Sequence, residues 1–309
     1  MPILLHFSKT LMILQKHKLS RQPFSAGYLH SLTILNFKTM KKYSLKIIML
    51  LTSFGILILS SCEKVIDVNL NSSDPKLVIE AKMTDSANCQ VKLSETVNFD
   101  ETNTFPEISG AVITLRDNYG NFETLTETSA GIYSSFSIIG IPGNTYTLKV
   151  TVDEKTYTAI SSMPYPVAID TITFTSIGAL SHKTNMASVE LLDPMGIKNY
   201  YRFVEIINGQ TQNNIFIFED RFDDGKSITA PLFTDPGSGD ASNKILSGDA
   251  VEIMAQCIDK SVYDYFLSLS QSGGGMHSST PANPKSNFSN GALGYFSAYS
   301  SKSKTVVVP

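Results

Sequence analysis

The sequence predicts a mostly β protein, with an antiparallel sandwich over residues 76–163 and a second β-rich domain over residues 164–309 that carries one short helix. Three observations support this prediction. Apolar and polar residues alternate with a period of two through most of the chain beyond residue 76. Clusters of Gly, Pro, Asn and Asp separate the alternating segments, as turns do. Residues 260–272 alone place apolar side chains at clear helical spacing.

The chain opens with a basic leader that contains no acidic residue. Residues 40–61 combine three lysines with an apolar run over residues 47–59. A bilayer-spanning helix needs roughly 20 apolar residues, so this shorter run fits the apolar region of a secretory signal peptide. Residues 1–39 precede a complete signal. We interpret them as a start-site extension, with a translated cytoplasmic extension as the alternative.

The signal peptide ends in Leu59, Ser60, Ser61 and Cys62, a stretch that resembles the bacterial lipobox. In that motif the small residues give the signal peptidase access, and the cysteine thiol is the nucleophile that accepts the lipid. The resemblance implies that Cys62 becomes the acylated first residue of the mature protein, which its acyl chains then hold in the membrane. A buried core helix that ends in a cysteine is the alternative.

Charge divides the chain at the same place. Residues 1–61 contain eight of the 25 basic residues and none of the 28 acidic residues, which leaves a net charge of about −11 on the remainder. Nucleic acids and anionic lipid surfaces both bind basic patches, so the acidic body argues against them as partners. A basic leader followed by an acidic body is typical of an exported protein.

Residues 62–75 form a polar tether, and the strands of the first domain follow it. About seven short strands are predicted over residues 76–163, including a hairpin over residues 142–160. The Gly-x-x-Tyr-x-Leu-x-Val stretch at residues 143–150 is similar to that of immunoglobulin-like modules. The Cys…Trp…Cys spacing is missing, so the sequence predicts an immunoglobulin-like sandwich and not a true immunoglobulin domain.

The second domain follows a linker with two prolines at residues 163–170. Strands are predicted at residues 170–176, 187–193, 199–209, 214–222 and 249–259. A helix over residues 260–272 comes next, because Val262, Phe266 and Leu269 fall on one stripe. Two separate strands, at residues 291–300 and 304–308, complete the domain.

Two cysteines remain once Cys62 carries lipid. Cys89 and Cys257 each occupy the apolar phase of a strand pattern, which favours two buried free thiols. Export also permits a disulfide bridge between them, and this stays the alternative.

The sequence lacks the motifs of most catalytic sites. Only His182 and His277 follow the leader, and no paired-His metal motif, G-x-S-x-G turn or phosphate-binding glycine loop is present. A Ser-His-Asp triad assembled from distant positions stays open as a hydrolase alternative. The sequence therefore predicts a non-enzymatic protein without a cofactor.

Asp220, Asp223 and Asp224 precede Gly225 and form the one candidate metal site. Clustered carboxylates can hold Ca²⁺, which prefers several oxygen ligands. Their spacing is not that of an EF-hand, and Asp-Asp-Gly is common in hairpin turns. We favour the turn and predict no metal.

Two further features are candidate binding surfaces. The aromatic clusters at 200–203, 216–218 and 295–299 suit either ligand platforms or core packing, and strand alternation favours the core. The Gly273–Gly275 loop together with residues 281–290 is our stronger candidate for a contact surface, because recognition residues favour loops on a rigid scaffold. Simple flexibility of this loop is the alternative.

Segments along the whole body resemble one family. The lipobox followed by residues 63–67, the linker at 163–174, the segment at 193–203 and the tail at 283–300 are together similar to domain-of-unknown-function family 4249 of Bacteroidota lipoproteins. Where the tail of that family has a Gly-Gly pair, this chain has Asn290-Gly291. The resemblance implies an outer-membrane lipoprotein, often encoded beside TonB-dependent receptors. It supplies no catalytic residues.

We therefore expect a lipoprotein anchored to the outer membrane through Cys62, on its periplasmic or cell-surface face. The leading hypothesis is a non-enzymatic accessory or ligand-binding subunit of a TonB-dependent uptake system. An envelope adhesion or scaffold protein without a small-molecule ligand is the alternative, and a hydrolase is a remote one.

Overall fold

The computed structural model describes residues 74–98, 104–177, 184–233, 244–272 and 283–309, all within one compact unit that spans Leu70–Pro309. The predicted start-site extension, the signal peptide, the lipobox with Cys62 and most of the tether lie outside these residues. The described part of the chain is mostly β with one helix, as the sequence predicts. Within the described residues, no helix is both long enough and apolar enough to cross a membrane.

Eight strands occupy the region predicted as the first domain. They are β1 (Leu77–Thr84), β2 (Asn88–Glu95), β3 (Val112–Asp117), β4 (Phe122–Thr124), β5 (Thr126–Ser129), β6 (Ile132–Ile139), β7 (Thr145–Val152) and β8 (Lys155–Ser162). The sequence does not reveal β5, because its four residues are mostly exposed and lack the apolar alternation of a strand that faces a core.

These strands form the predicted sandwich. One sheet has the order β4-β3-β7-β8, and it packs against the β1-β2-β6 part of a larger sheet. Buried side chains from both sheets meet in a first core, including Ile79 and Leu93 from one sheet and Leu115 and Leu148 from the other. The alternation that sequence analysis detects therefore corresponds to one buried face on each sheet.

The second region contains eight more strands and the helix. They are β9 (Thr171–Ile177), β10 (Thr184–Leu192), β11 (Tyr200–Ile207), β12 (Gln210–Thr211), β13 (Phe216–Glu219), β14 (Ser227–Pro231), β15 (Ala250–Ile258), α1 (Lys260–Ser272) and β16 (Leu293–Val307). The three-stranded sheet β14-β10-β9 packs against β11 and β15 around a second core. The helix has the predicted bounds, and its apolar stripe packs on the opposite face of β11 and β16.

The last strand connects the two regions. Residues 293–299 of β16 pair in parallel with β1, and residues 300–307 pair antiparallel with β15. A nine-stranded sheet results, with the order β12-β11-β15-β16-β1-β2-β6-β5 and with β13 also paired to β11. The sequence predicted two short strands here. The polar residues 301–303, which separate the two predicted strands, belong to a half of the strand that lies mostly at the surface.

Because β16 serves both regions, its side chains enter both cores. Phe296 and Ala298 are buried in the first core, while Val308, directly after the strand, is buried in the second. The division into domains at residue 163 stays a prediction, since the most C-terminal strand is needed on both sides of it.

Residues 283–292 lead into β16 and cover the edge of β8. The Ser289 backbone N–H donates to the Thr158 carbonyl at 2.9 Å, and the Thr158 N–H donates to Ser289 Oγ at 2.9 Å. The Asn290 side-chain amide donates to the Thr156 carbonyl at 2.7 Å. The described part of the candidate contact surface at 281–290 is therefore bonded to the fold, whereas Gly273–Gly275 lie outside the described residues.

The first prediction concerns the closest approach of β16 to β1. Gly294 has φ +90°, and a Cβ there would lie 2.1 Å from the Ile79 carbonyl oxygen. We expect Gly294→Ala to lower the free energy of unfolding by roughly 3 kcal/mol, because both the backbone conformation and the clash oppose the side chain. Urea denaturation measures this loss.

Gly291→Ala is the matched control. Gly291 also has a positive φ, of +79°, but a Cβ there meets nothing within 4 Å. Gly291→Ala should therefore lower the free energy of unfolding by only about 1 kcal/mol, because the backbone conformation alone opposes the side chain. Equal losses in the two variants would contradict the close packing of β16 on β1.

The second prediction concerns the isolated first domain. A fragment of residues 76–163 lacks β16, and so it leaves one edge of β1 unpaired and removes Phe296 from the core. Loss of a buried Phe alone costs about 3–5 kcal/mol, which is comparable to the whole stability of a small domain. We expect no cooperative thermal transition by circular dichroism, in contrast to residues 70–309. A cooperative transition in the fragment would show that the domain folds without β16.

Candidate functional site

A cavity of about 270 Å³ lies on the outer face of the nine-stranded sheet, where its two halves meet beside α1. We call it the basin. Its lining comes from β1, β11, β12, β15, β16 and α1, and consists of Lys82, Arg202, Val204, Ile206, Thr211, Met254, Gln256, Phe266, Tyr295, Ser297 and Tyr299. No Asp or Glu belongs to this lining among the described residues.

Strand alternation produces this lining. In β11, Tyr201, Phe203 and Ile207 face the second core, so the intervening Arg202, Val204 and Ile206 face outward into the basin. In β16, Phe296 is buried in the first core, so Tyr295 and Ser297 face outward. The helix adds Phe266 from its apolar stripe.

Arg202 is the main charged group of the basin. Its guanidinium carbon lies 4.4 Å from the centroid of the Phe266 ring, and its Nη1 donates to the Gln256 side-chain oxygen at 2.9 Å. Its Nε is buried and has no hydrogen-bond partner among the described residues. Burial lowers the pKa of Arg202, because it removes water from the charged form. The guanidinium is thus partly removed from water, and its neighbours in the basin are a neutral amide, an aromatic ring and the Tyr295 and Tyr299 side chains, none of them an acid.

The tyrosines of the basin are hydrogen-bond donors at any physiological pH. Burial raises the pKa of Tyr295 to about 12 and also raises the pKa of Tyr299. The nearby Arg202 charge opposes both shifts and does not reverse them. A ligand in the basin therefore meets neutral hydroxyls, one fixed cation in Arg202 and a second, exposed cation in Lys82.

The sequence patterns do not predict the basin, although one feature of β11 points to it. Arg202 and Glu205 interrupt an otherwise apolar strand, which is unusual because unpaired charges are seldom buried. Of the predicted aromatic clusters, Tyr201, Phe203, Phe216 and Phe296 are buried, in agreement with core packing. Tyr295 and Tyr299 line the basin instead.

Glu205 lies on the opposite face of β11, toward the second core. Its side chain is 1% exposed, and neither carboxylate oxygen has a hydrogen-bond partner among the described residues. Burial alone raises its pKa to about 7. The fold therefore binds a proton at this position more tightly than the unfolded chain does.

Three carboxylates form a separate cluster. Oxygens of Asp193, Asp220 and Asp224 lie within 4.8 Å of one another, so the structure adds Asp193 to the predicted group and leaves out Asp223. Residues 221–225 form the turn that the sequence favoured.

The hydrogen bonds of this cluster join two loops. Asp220 accepts from the Asn199 backbone N–H at 2.8 Å, and Asp224 accepts from the Gly196 N–H at 2.7 Å. Asp193 accepts from the Tyr201 hydroxyl, and burial raises the pKa of Asp193. Hydrogen bonds of this kind, from backbone N–H groups to side-chain carboxylates, hold loops in a fixed conformation.

The cysteines and histidines offer no reactive group in the described residues. Cys89 and Cys257 are both free and buried, as the favoured interpretation predicted, and they lie in different cores. Burial raises the pKa of Cys89 to about 12 and that of Cys257 to about 11, so both remain protonated thiols. His182 and His277 lie outside the described residues.

Comparisons with known proteins identify a family. A family model described as "Domain of unknown function (DUF4249)" matches residues 63–305. No curated protein matches the chain. Among solved structures, the chain is similar to the Yersinia pseudotuberculosis adhesin InvE, with 17% identity and a TM-score of 0.19, over 59% of this chain and 55% of the adhesin chain. The chain spans about half the length of that structure, and a likeness this weak carries no functional argument.

The third prediction concerns Glu205. Its folded-state pKa of about 7 lies above the ordinary value of 4.5, so the folded protein holds this proton more tightly and loses stability as pH rises from about 4.5 to about 7. Glu205→Gln removes that penalty. We expect the variant to be more stable than wild type by about 3 kcal/mol at pH 8 and almost equal to it at pH 4.5. Urea unfolding at the two pH values measures the difference.

Glu252→Gln is the matched control, because Glu252 is half-buried on the neighbouring strand β15. It should change the free energy of unfolding by less than about 0.5 kcal/mol at both pH values. If Glu205→Gln has the same effect at pH 4.5 and pH 8, Glu205 is not a buried, proton-binding carboxylate.

Proposed function

We propose that this chain, which belongs to the DUF4249 family, is a non-enzymatic, ligand-binding lipoprotein of the outer membrane that serves a TonB-dependent uptake system. The observation that carries the proposal is the basin. Concave sites with mainly apolar walls and a few convergent polar groups are the usual form of small-molecule sites in proteins. In this basin the polar groups include one partly desolvated guanidinium and two tyrosine hydroxyls.

The N-terminal sequence supports the lipid anchor. Cys62 directly precedes residue 63, where the family match begins. Residues 62–75 extend at most about 50 Å, so β1 begins close to the membrane that holds Cys62. A tether of this length keeps the folded body within reach of an integral outer-membrane receptor.

The charge of the body supports a protein partner. Beyond residue 61, acidic residues exceed basic residues by about 11, and anionic headgroups repel such a surface. The acyl chains on Cys62 would supply membrane attachment, which leaves the folded surface free for contact with another protein.

The fourth prediction tests this assignment. The tagged, lipidated protein is purified from native membranes in a neutral detergent, with Cys62→Ala as the control that cannot accept lipid. We expect a TonB-dependent receptor to copurify with wild type in near-stoichiometric amount and at least tenfold less with Cys62→Ala. Quantitative mass spectrometry of the eluates measures the ratio.

Two other outcomes would contradict the assignment. Recovery of envelope scaffold proteins without a receptor would favour the adhesion or scaffold alternative. Recovery of the protein alone, from membranes that contain the receptors, would argue against any stable uptake complex.

A further inference from the structure

We propose that the basin binds a small organic carboxylate, with the Arg202 guanidinium as its counter-ion. This inference rests on the proposed function in one respect only, that the protein binds a small ligand. It adds the chemical class of that ligand and the residue that recognises it. The juxtaposition that suggests it is a partly desolvated guanidinium on the wall of a cavity whose described lining contains no acid.

The charge of Arg202 is not balanced within the described structure. An ion-pair partner of Arg202 would be a carboxylate within 4 Å. The acidic members of the ion pairs among the described residues are Glu219 and Asp264, and neither pairs with Arg202. Glu80 and Glu252 lie on the same sheet face, in register with Tyr295 and Ile206 respectively, and neither lines the basin. Buried charges in proteins are normally paired, because desolvation of a lone ion is costly.

The neighbours of Arg202 orient the guanidinium without neutralising it. Phe266 covers one face of the group, and Gln256 accepts from Nη1 at 2.9 Å. Guanidinium donors that remain unpartnered suit a carboxylate, whose two oxygens can accept two parallel hydrogen bonds. The Nε–H is unpartnered among the described residues, but it is covered by neighbouring side chains, so a carboxylate in the basin reaches it only after those side chains move.

The remaining lining favours a carboxylate over inorganic phosphate. Val204, Ile206 and Met254 give the basin an apolar wall, and a phosphate dianion would leave that wall without a partner. Lys82 also belongs to the lining but is exposed, so Arg202 is the one cation of the basin that is partly buried. One partly buried cation beside an apolar wall matches a single carboxylate on a hydrocarbon body.

Volume limits the size of that body. The cavity measures about 270 Å³, which at roughly 30 Å³ per water corresponds to about nine water molecules. A ligand of about nine non-hydrogen atoms would fill it, as benzoate or hexanoate would. Tyr295 and Tyr299 can donate their hydroxyl protons to any polar group of the natural ligand.

The test is calorimetric titration of the lipidated full-length protein in neutral detergent. The probes are benzoate and hexanoate, their neutral amides benzamide and hexanamide, and inorganic phosphate. We expect both carboxylates to bind at least tenfold more tightly than their amides and than phosphate.

Three variants locate the binding. Arg202→Gln removes the cation, and Gln256→Glu places a carboxylate beside Arg202 within the protein itself. Both should weaken benzoate binding at least tenfold, the first by loss of the counter-ion and the second by occupying it. Arg221→Gln is the matched control, because Arg221 is an exposed cation paired with Glu219 outside the basin, and it should leave the affinity unchanged.

Thermal unfolding without ligand separates binding from folding. Both basin variants should melt within a few degrees of wild type, since one removes an unbalanced charge and the other balances it. Should Arg202→Gln fail to fold, Gln256→Glu alone decides the case.

Four results would overturn the proposal: equal affinities for acids and amides, tighter binding of phosphate than of carboxylates, no binding of any probe, or full binding by Gln256→Glu. These results are independent of receptor copurification. If neither carboxylate binds and the receptor still copurifies, the proposed ligand class is wrong and the uptake role stands. If carboxylates bind and no receptor copurifies, the site is correct and the uptake role is wrong.

Discussion

The pairing of β16 with two different strands is the constraint on which the rest of the structure depends. Its first half lies parallel to β1 and its second half antiparallel to β15, so one strand contributes to both cores. Gly294 permits this arrangement, because its bare Cα allows the backbone to approach the Ile79 carbonyl. Without β16, β1 would lose a neighbour on one side, and β11 and β15 would lose their connection to the first sandwich.

The basin is a geometric result of the same strand. Alternation along β16 and β11 sends one set of side chains to the cores and the next set to the outer face, where α1 covers part of the sheet. Side chains as far apart in the sequence as Lys82 and Tyr299 meet there. The site is thus built on strands and a helix, which hold side chains more precisely than loops do.

The parts of this structure that the sequence predicts depend on residues close together in the chain, and the parts that it does not predict depend on contacts between distant segments. The helix bounds and most strands follow from local periodicity, and Cys89 and Cys257 lie inside as their strand phases indicate. Local patterns cannot reveal that β1 and β16 pair, because parallel pairing of distant segments leaves no trace in either segment alone. The basin depends on that pairing, so the sequence showed its tyrosines only as an aromatic cluster. The Asp cluster shows the same limit, since Asp193 joins it from a distant loop.

Strand β11 carries one buried and one half-buried ionisable side chain, and the energetic cost of each is met in a different way. Glu205 faces the second core without a partner, and its pKa of about 7 shows that it can escape the cost of a buried charge by taking up a proton. Arg202 faces the basin, and burial lowers its pKa. A guanidinium nevertheless stays protonated in proteins, so loss of a proton offers it no comparable escape. Its charge therefore persists in a site that removes part of its hydration. A fold that keeps such a group can compensate for it with an anion from outside, and an open cavity beside Arg202 is the route by which one can enter.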